Sequence, residues 1–522
     1  MFTIEEREAL TSTDEGKSWQ RRPLFGADAP MRVRPERALL RTRAGTLILI
    51  FADNAALHYS WDKQKNLPLP DMKLPAYAIR SVDEGQTWTD RFTLTDGWCG
   101  CDQDLIQTKD GTIVVPSQEL LYPEGRHATV PYLSHDEGKT WTRTARVLDI
   151  GGQGDHAGAI EGTLAQLRDG TIWLLLRTPL GAFYESRSTD DGQTWSEQKA
   201  SAIPATSAPG KLVRLQSGRL ALFWNALPRA PYKTREELSL SFSEDEGATW
   251  TPPQTVATNI GQRLSYLHAF ERAPGELWVT TMQGGLRVML HEADFLKPLP
   301  TLVAFGDSTT APRGGLAVYT DLARRGLFEA GTPVQTVNAG IGGHTTADGL
   351  ARLQKDVLDH KPAVVVVQFG INDAAVDVWK DPPATAARVP LAQYRQNLST
   401  MLDKLKANGG AAVLMTPNPL CWSEQTRKLY GRAPYDPASP DGFNVLLRDY
   451  AAAVRELARE RGVPLVDVFA AFEEAAKGRK DGLEGLLLDG MHPNQDGQNL
   501  VAEKLLEALR GLPVPRPETA GP

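Results

Sequence analysis

Over roughly the first three hundred residues the apolar positions fall in short runs separated by polar turns. Segments such as TLAQLRDGTIWLLLRT and KLVRLQSGRLALFWNA place two apolar strands on either side of a DG or SG turn, as an antiparallel hairpin requires. The pattern S-x-D-x-G-x-[ST]-W punctuates these hairpins five times, at Ser12–Trp19, Ser81–Trp88, Ser134–Trp141, Ser188–Trp195 and Ser243–Trp250. The last four copies begin 53 to 55 residues apart. Each copy reads as a turn in which the Asp accepts backbone N–H bonds and the Gly supplies a positive φ. The Trp then returns the chain to the sheet and packs across it. Four strands in a repeat of this length predict a β-propeller blade. Complete blades are expected near residues 32–95, 96–149, 155–200 and 208–257, with a further one from Ser265 to Phe295. The inner strands expected before the Ser12 box are missing from the pattern, so the expected ring has six blades, one of them incomplete.

At Leu296–Pro300 the pattern changes. Strand-like runs (TLVAF, VQTVN, AVVVVQF, AAVLMT, VPLVDV) now alternate with helical stretches such as LAQYRQNLSTMLDKLKA and FNVLLRDYAAAVRELARERG. AVVVVQF is apolar throughout, as a strand covered on both faces should be. The alternation predicts an open parallel α/β sheet, with ligands beyond the carboxyl ends of its strands. The expected domains are therefore residues 1–296, all-β, and residues 297–522, α/β in three layers.

Composition narrows the function classes. With 522 residues, 41% hydrophobic, 23% charged and a formal net charge of −7, the chain reads as a multidomain globular protein. No Lys/Arg run suggests nucleic acid, and no apolar run reaches the ~18 residues of a membrane span. The start, MFTIEEREAL, is acidic and does not read as a signal peptide. Cys99, Cys101 and Cys421 are too few and too scattered for a disulfide framework or a zinc site, and are expected to be structural. No metal or other cofactor is expected, and the oligomeric state is not legible.

Four polar motifs fall at the strand ends of the second domain: Gly306-Asp-Ser308-Thr, Asn338 through Gly343, Gly370-Ile-Asn372-Asp373, and Asp489-Gly-Met-His492. A Ser hydroxyl needs a base to become a nucleophile, and a His titrating near neutrality can be that base. An Asp three residues earlier can hold its tautomer, and a developing oxyanion needs preorganised donors. This ordered set resembles the SGNH/GDSL hydrolase family over about 210 residues. The resemblance implies a serine esterase with Ser308, Asp489 and His492 as triad and an oxyanion hole from Ser308, Gly343 and Asn372. Asp307 and Asp373 are expected to fix loops. The loop Thr416–Pro437, with Trp422 and Tyr430, is similar to loops of the carbohydrate acetylesterase branch and is expected to cover the site and stack a sugar ring.

The five boxes are identified as the Asp-boxes of the sialidase-like propellers. That resemblance implies a pocket in which arginines grip a substrate carboxylate and a Tyr is activated by a Glu. Arg34, Arg177 and Arg235 match the arginines, with Arg34 the poorer match. Glu161 and Tyr266 match the other pair, and Asp53 and Asp62 are both open as general acid. His156 and the Gly125–His127 turn are further pocket candidates. Together the resemblances imply an O-acetylesterase acting on a carbohydrate that the propeller binds or processes. A bifunctional glycosidase–esterase, a lysophospholipase or general acyl-ester hydrolase, and a glycan-binding protein with incidental esterase activity are the alternatives.

Overall fold

The computed structural model describes residues 1–226 and 234–510, which divide into two compact units, one reaching Leu296 and the other beginning at Lys297. The first unit is a six-bladed β-propeller of consecutive antiparallel sheets. Four sheets have four strands each, and the first and last have three. The second strand of each full blade is flanked by strands on both edges and by blades on both faces. Leu47–Asp53, the second strand of the second blade, is accordingly buried at all seven positions.

Two details differ from the sequence pattern. The first sheet has strands Phe2–Glu5 and Glu8–Thr11 ahead of its box and Gln20–Pro23 after it, so only the innermost strand is lacking. Strands of four residues rich in Glu and Arg carry too little alternation to be read. The last sheet (Ser265–Ala273, Glu276–Gln283, Arg287–His291) is also three-stranded and lacks the outermost strand. An unpredicted two-stranded ribbon, Trp61–Asp62 with Leu67–Pro68, is inserted between the second and third strands of the second blade.

In each box the turn closes on side chains. In the Ser81–Trp88 copy, Ser81 Oγ accepts from Gly85 N (2.8 Å), and Asp83 takes both the amide (2.9 Å) and the hydroxyl (2.6 Å) of Thr87. The Thr87 bonds hold the Asp83 carboxyl down at about 2. Both Glu84 (φ 59°) and Gly85 (φ 83°) are left-handed, so the turn spends one αL position on a non-glycine residue.

The second unit is a parallel sheet of five strands, β1 (Thr301–Gly306), β2 (Gln335–Gly340), β3 (Val364–Gln368), β4 (Ala411–Met415) and β5 (Leu465–Val466), in the order β2-β1-β3-β4-β5. The main helices are α1 (Tyr319–Glu329), α2 (Thr346–Asp356), α3 (Ile371–Ala374), α4 (Leu391–Ala407), α5 (Glu424–Tyr430), α6 (Leu447–Arg461), α7 (Val468–Lys477) and α8 (Gln495–Leu509). Strand side chains alternate between two cores. Val303, Phe305, Val365 and Val367 pack with Leu398, Met401 and Val454 of α4 and α6. Leu302, Ala304, Val364 and Val366 pack with Ala323, Val501 and Leu505 of α1 and α8. The three-layer α/β expectation is met, and the motif loops sit at the carboxyl ends of β1, β2 and β3.

Candidate active site and propeller pocket

Ser308 lies on the turn leaving β1. The turn folds tightly back on the end of β1, where a Cβ on Gly306 would stand 2.2 Å from Thr310 Oγ1 and 2.6 Å from Gln368 O of the paired β3. Asp307 is buried there, and its Oδ1 accepts from the amide (2.9 Å) and hydroxyl (2.8 Å) of Thr309. Asn338 ties β2 to the same turn by donating to Thr310 O (2.7 Å).

The Asp489–His492 loop brings a base to the serine. His492 Nε2 stands 2.9 Å from Ser308 Oγ, and its Nδ1 stands 2.8 Å from Asp489 Oδ2. Asp489 Oδ1 accepts from the amides of Met491 (3.0 Å) and His492 (2.9 Å). Burial pushes the Asp489 carboxyl up, but the His492 ring and these amides outweigh it and leave the group well below the usual carboxylate range. An ionised Asp489 keeps the proton on Nδ1, which leaves Nε2 as acceptor for the Ser308 hydroxyl.

The Asp489–His492 loop is braced by residues just past β4. Cys421 N donates to Gly490 O (2.9 Å), Ser423 Oγ to Asp489 O (2.9 Å) and Asn418 Nδ2 to Met491 O (2.9 Å). Gly490 (φ 85°) is required twice over, since a Cβ there would also stand 2.4 Å from Cys421 O. Helix α8 leaves directly from this loop, and its Gln495 and Gln498 accept from Ala317 N (3.0 Å), just ahead of α1, and from Tyr319 N (2.7 Å), the first residue of α1.

A cavity of about 370 Å³ opens beside Ser308 and His492. Gly343 (φ 81°) and Asn372 line it. Asn372 is held at both ends: its Nδ2 donates to His344 O (3.1 Å), and its Oδ1 accepts from Arg388 Nη1 (3.2 Å). Arg388 is itself fixed on Asp377 by a two-pronged ion pair at 2.7 to 3.1 Å. Sequence reasoning missed Arg388 and Asp377, which lie in an irregular stretch with no motif. Much of the remaining lining is apolar and includes Ile371, Ala374, Leu420, Tyr435, Phe443 and Met491.

Tyr430 lines this cavity, but Trp422 does not. Trp422 is buried, stacked on Phe443 at 4.6 Å and 10°, with its Nε1 donating to Ser439 O. It packs the loop and is not free to hold a sugar. Cys99 and Cys101 are buried, Cys421 is partly so, and all three are free thiols.

Asp373 is buried behind Asn372. Its Oδ1 accepts from the amide (2.8 Å) and hydroxyl (2.5 Å) of Thr346, whereas Oδ2 has no protein partner. Burial raises this carboxyl to about 6, against the Thr346 bonds. The folded chain therefore holds the proton more tightly than the unfolded chain. Folding incurs no ionisation cost here below about pH 4, and the cost grows as pH rises toward 6, after which it is constant. Asp373→Asn keeps the acceptor for Thr346 and removes the charge. It is expected to raise stability at pH 7.5 by about 1–3 kcal/mol and to change it little at pH 4, as thermal melts at the two pH values would record.

In the propeller, three of the predicted residues close on one another. Arg177 Nη1 pairs with Glu161 Oε2 (2.6 Å), and Tyr266 Oη donates to Glu161 Oε1 (3.0 Å). Burial, then Glu161, raise the Tyr266 phenol above its ordinary value. Arg235 stands over the Tyr266 ring at 5.7 Å and donates to Ser207 O. Burial and the neighbouring Arg177 both lower its pKa. Glu161 (φ 48°), Arg235 (φ 69°) and Tyr266 (φ 57°) are all left-handed. Such a conformation costs a non-glycine residue on the order of 1–3 kcal/mol and gathers at functional sites.

The other candidates make no hydrogen bond to this cluster, although His156 lies near enough to Arg177 and Glu161 to feel their charge. Arg34 pairs with Glu36 (3.0 Å) and makes no bond to this cluster. Asp53 accepts from the amides of Arg32 and Ala55, and Asp62 from those of Gln64 and Lys65, so each fixes its own turn. His127 is buried between Gln118 Nε2 (3.1 Å) and Asp155 O (2.8 Å), and burial brings its pKa down to about 4. It holds a loop together. His156 is exposed beside Asp155 at 3.5 Å, which raises its pKa.

Known proteins divide along the same line. Residues 304–500 match the GDSL-like lipase/acylhydrolase family, and residues 36–279 match the BNR repeat-like domain. An uncharacterised lipoprotein of Bacillus subtilis is 32% identical over 217 residues, 39% of this chain and 86% of its own. An acetylxylan esterase of Geobacillus stearothermophilus is 29% identical over 190 residues, 35% of this chain and 77% of its own. A sialidase of Bacteroides fragilis is 26% identical over 282 residues, 49% of this chain and 50% of its own, so the chain spans half that relative's length. The chain belongs to the GDSL-like lipase/acylhydrolase family of ester hydrolases, with a BNR repeat-like propeller ahead of the hydrolase domain.

Proposed function

We propose that this chain is a carbohydrate O-acetylesterase, with Ser308, His492 and Asp489 as its catalytic triad and the propeller as its glycan-binding module. The observation that carries the reading is the continuous relay from Asp489 through His492 to Ser308 beside the cavity. Ser308 Oγ would attack the acetyl carbon while its proton passes to His492 Nε2. The carbonyl oxygen, now an anion, would take bonds from the amides of Ser308 and Gly343 and from the free N–H of Asn372. Collapse of this adduct breaks the bond to the sugar oxygen, which receives the proton from His492. Water then attacks the acetyl-serine with His492 again as base, and acetate leaves. A carbohydrate substrate is supported by the acetylxylan esterase relative and by the propeller's match to a sialidase.

The test is acetate release from acetylated xylan, acetylated pectin and O-acetylated sialic acids, set against p-nitrophenyl esters from acetyl to octanoyl. Acetylated glycans are expected to be the better substrates. The apolar cavity wall gives the contrary outcome a definite form. If rates climb with acyl length and the glycans stay acetylated, the chain is a general acyl-ester hydrolase.

The Tyr266–Glu161 bond favours a second reading, in which the propeller is itself a glycosidase. Tyr266→Phe would then abolish cleavage of a fluorogenic sialoside or uronoside. Cleavage that survives the substitution removes that reading.

A further inference from the structure

The face of the propeller that carries Glu161, Arg177, Arg235 and Tyr266 also carries the inserted ribbon. At its foot Tyr59 stacks on Trp61 (6.4 Å between centroids, 12° between planes) and meets Trp98 edge-on (5.8 Å, 66°). Tyr59 is 50% exposed in spite of these contacts. The group is held from several sides. Tyr59 Oη donates to Asp155 Oδ2 (3.0 Å), Trp61 Nε1 donates to Asn66 Oδ1 (3.2 Å), and Gln153 Nε2 donates to Lys65 O (3.4 Å). A Cβ on Gly125 would stand 2.7 Å from Leu67, so the ribbon seats directly on the neighbouring turn.

We propose that Tyr59, Trp61 and Trp98 form a stacking platform for one ring of an acidic oligosaccharide whose charged residue enters among Arg177, Arg235 and Tyr266. This rests on the reading of the propeller as a glycan-binding module and adds a subsite to it. The charge requirement comes from the two neighbouring guanidiniums. Glu161 neutralises Arg177, whereas Arg235 bonds only a backbone carbonyl and a ring face among the described residues. The sugar requirement comes from the platform. An aromatic face bordered by Asp155 and the exposed His156 suits a pyranose, which presents C–H groups on its face and hydroxyls at its edge. The two parts are adjacent. Tyr59 Oη is bonded to Asp155, six residues ahead of Glu161 in the stretch that leads into the Glu161 strand. Six residues reach at most about 22 Å, a gap that an oligosaccharide can span.

Calorimetry on the full chain tests this with 3′-sialyllactose and trigalacturonic acid, each against its own acidic monosaccharide. The oligosaccharides are expected to bind more tightly than the monosaccharides and to perturb tryptophan fluorescence. Tyr59→Ala should weaken oligosaccharide binding about tenfold, or about 1.4 kcal/mol, and leave monosaccharide binding within twofold. Tyr59→Phe, which keeps the ring and loses the bond to Asp155, should retain most of the affinity. If the oligosaccharides bind and Tyr59→Ala leaves their Kd unchanged, the platform is refuted while the glycan-binding reading stands. If neither the oligosaccharides nor the monosaccharides bind the wild type, the glycan-binding reading falls and the platform with it.

Discussion

Ser308→Ala is expected to lower kcat/KM on acetylated glycans and p-nitrophenyl acetate by about 10⁴- to 10⁶-fold, leaving only what the oxyanion donors and binding supply. The size follows from the relay. Once Oγ is gone, His492 Nε2 has no hydroxyl to deprotonate, and only water at that position can accept its help. The fold should be indifferent, because the side chain's bond is to His492 alone and the turn is held by Asp307, Thr309 and Asn338. The thermal midpoint should therefore stay within a degree or so while activity is lost. Equal acetate release by the variant and the wild type would remove Ser308 from the chemistry.

Asp489→Asn should cost about 10⁴ in kcat with KM little changed. The substituted amide has only one way to sit. Its oxygen must stay on the amides of Met491 and His492, as Oδ1 does now. That turns the new NH₂ toward His492 Nδ1, which then has to accept. The ring proton moves to Nε2, where it faces Ser308 Oγ and blocks proton removal. Rates under single-turnover conditions would locate the loss in the chemical step. A variant within tenfold of wild type would mean that the tautomer is set by something other than Asp489.

The ease of reading the sequence differed from feature to feature, for physical reasons. The esterase motifs were legible because each is a contiguous block at the end of an apolar strand. The support for Asn372 was not, because Arg388 reaches it across sixteen residues of irregular chain. Trp422 was misread for a related reason: a loop rich in Trp and Tyr suggests a sugar surface, but its stacking partner, Phe443, lies beyond the loop. The blades were legible wherever a box and a DG or SG turn bracket apolar strands. The inserted ribbon has two strands of two residues each, too short for any alternation to appear. His156 and the Gly125–His127 turn shared one appearance in sequence, and burial separated them.

The left-handed backbone at Glu161, Arg235 and Tyr266 has a practical consequence for anyone selecting hardier variants. Glycine at Arg235, which makes no ion pair among the described residues, would relieve the local strain, so a screen scored on heat tolerance alone would favour that replacement and remove a pocket guanidinium, whereas glycine at Glu161 would strand the buried Arg177. A thermostabilised propeller should therefore be checked at Arg235 before its lack of ligand binding is taken as a property of the natural protein.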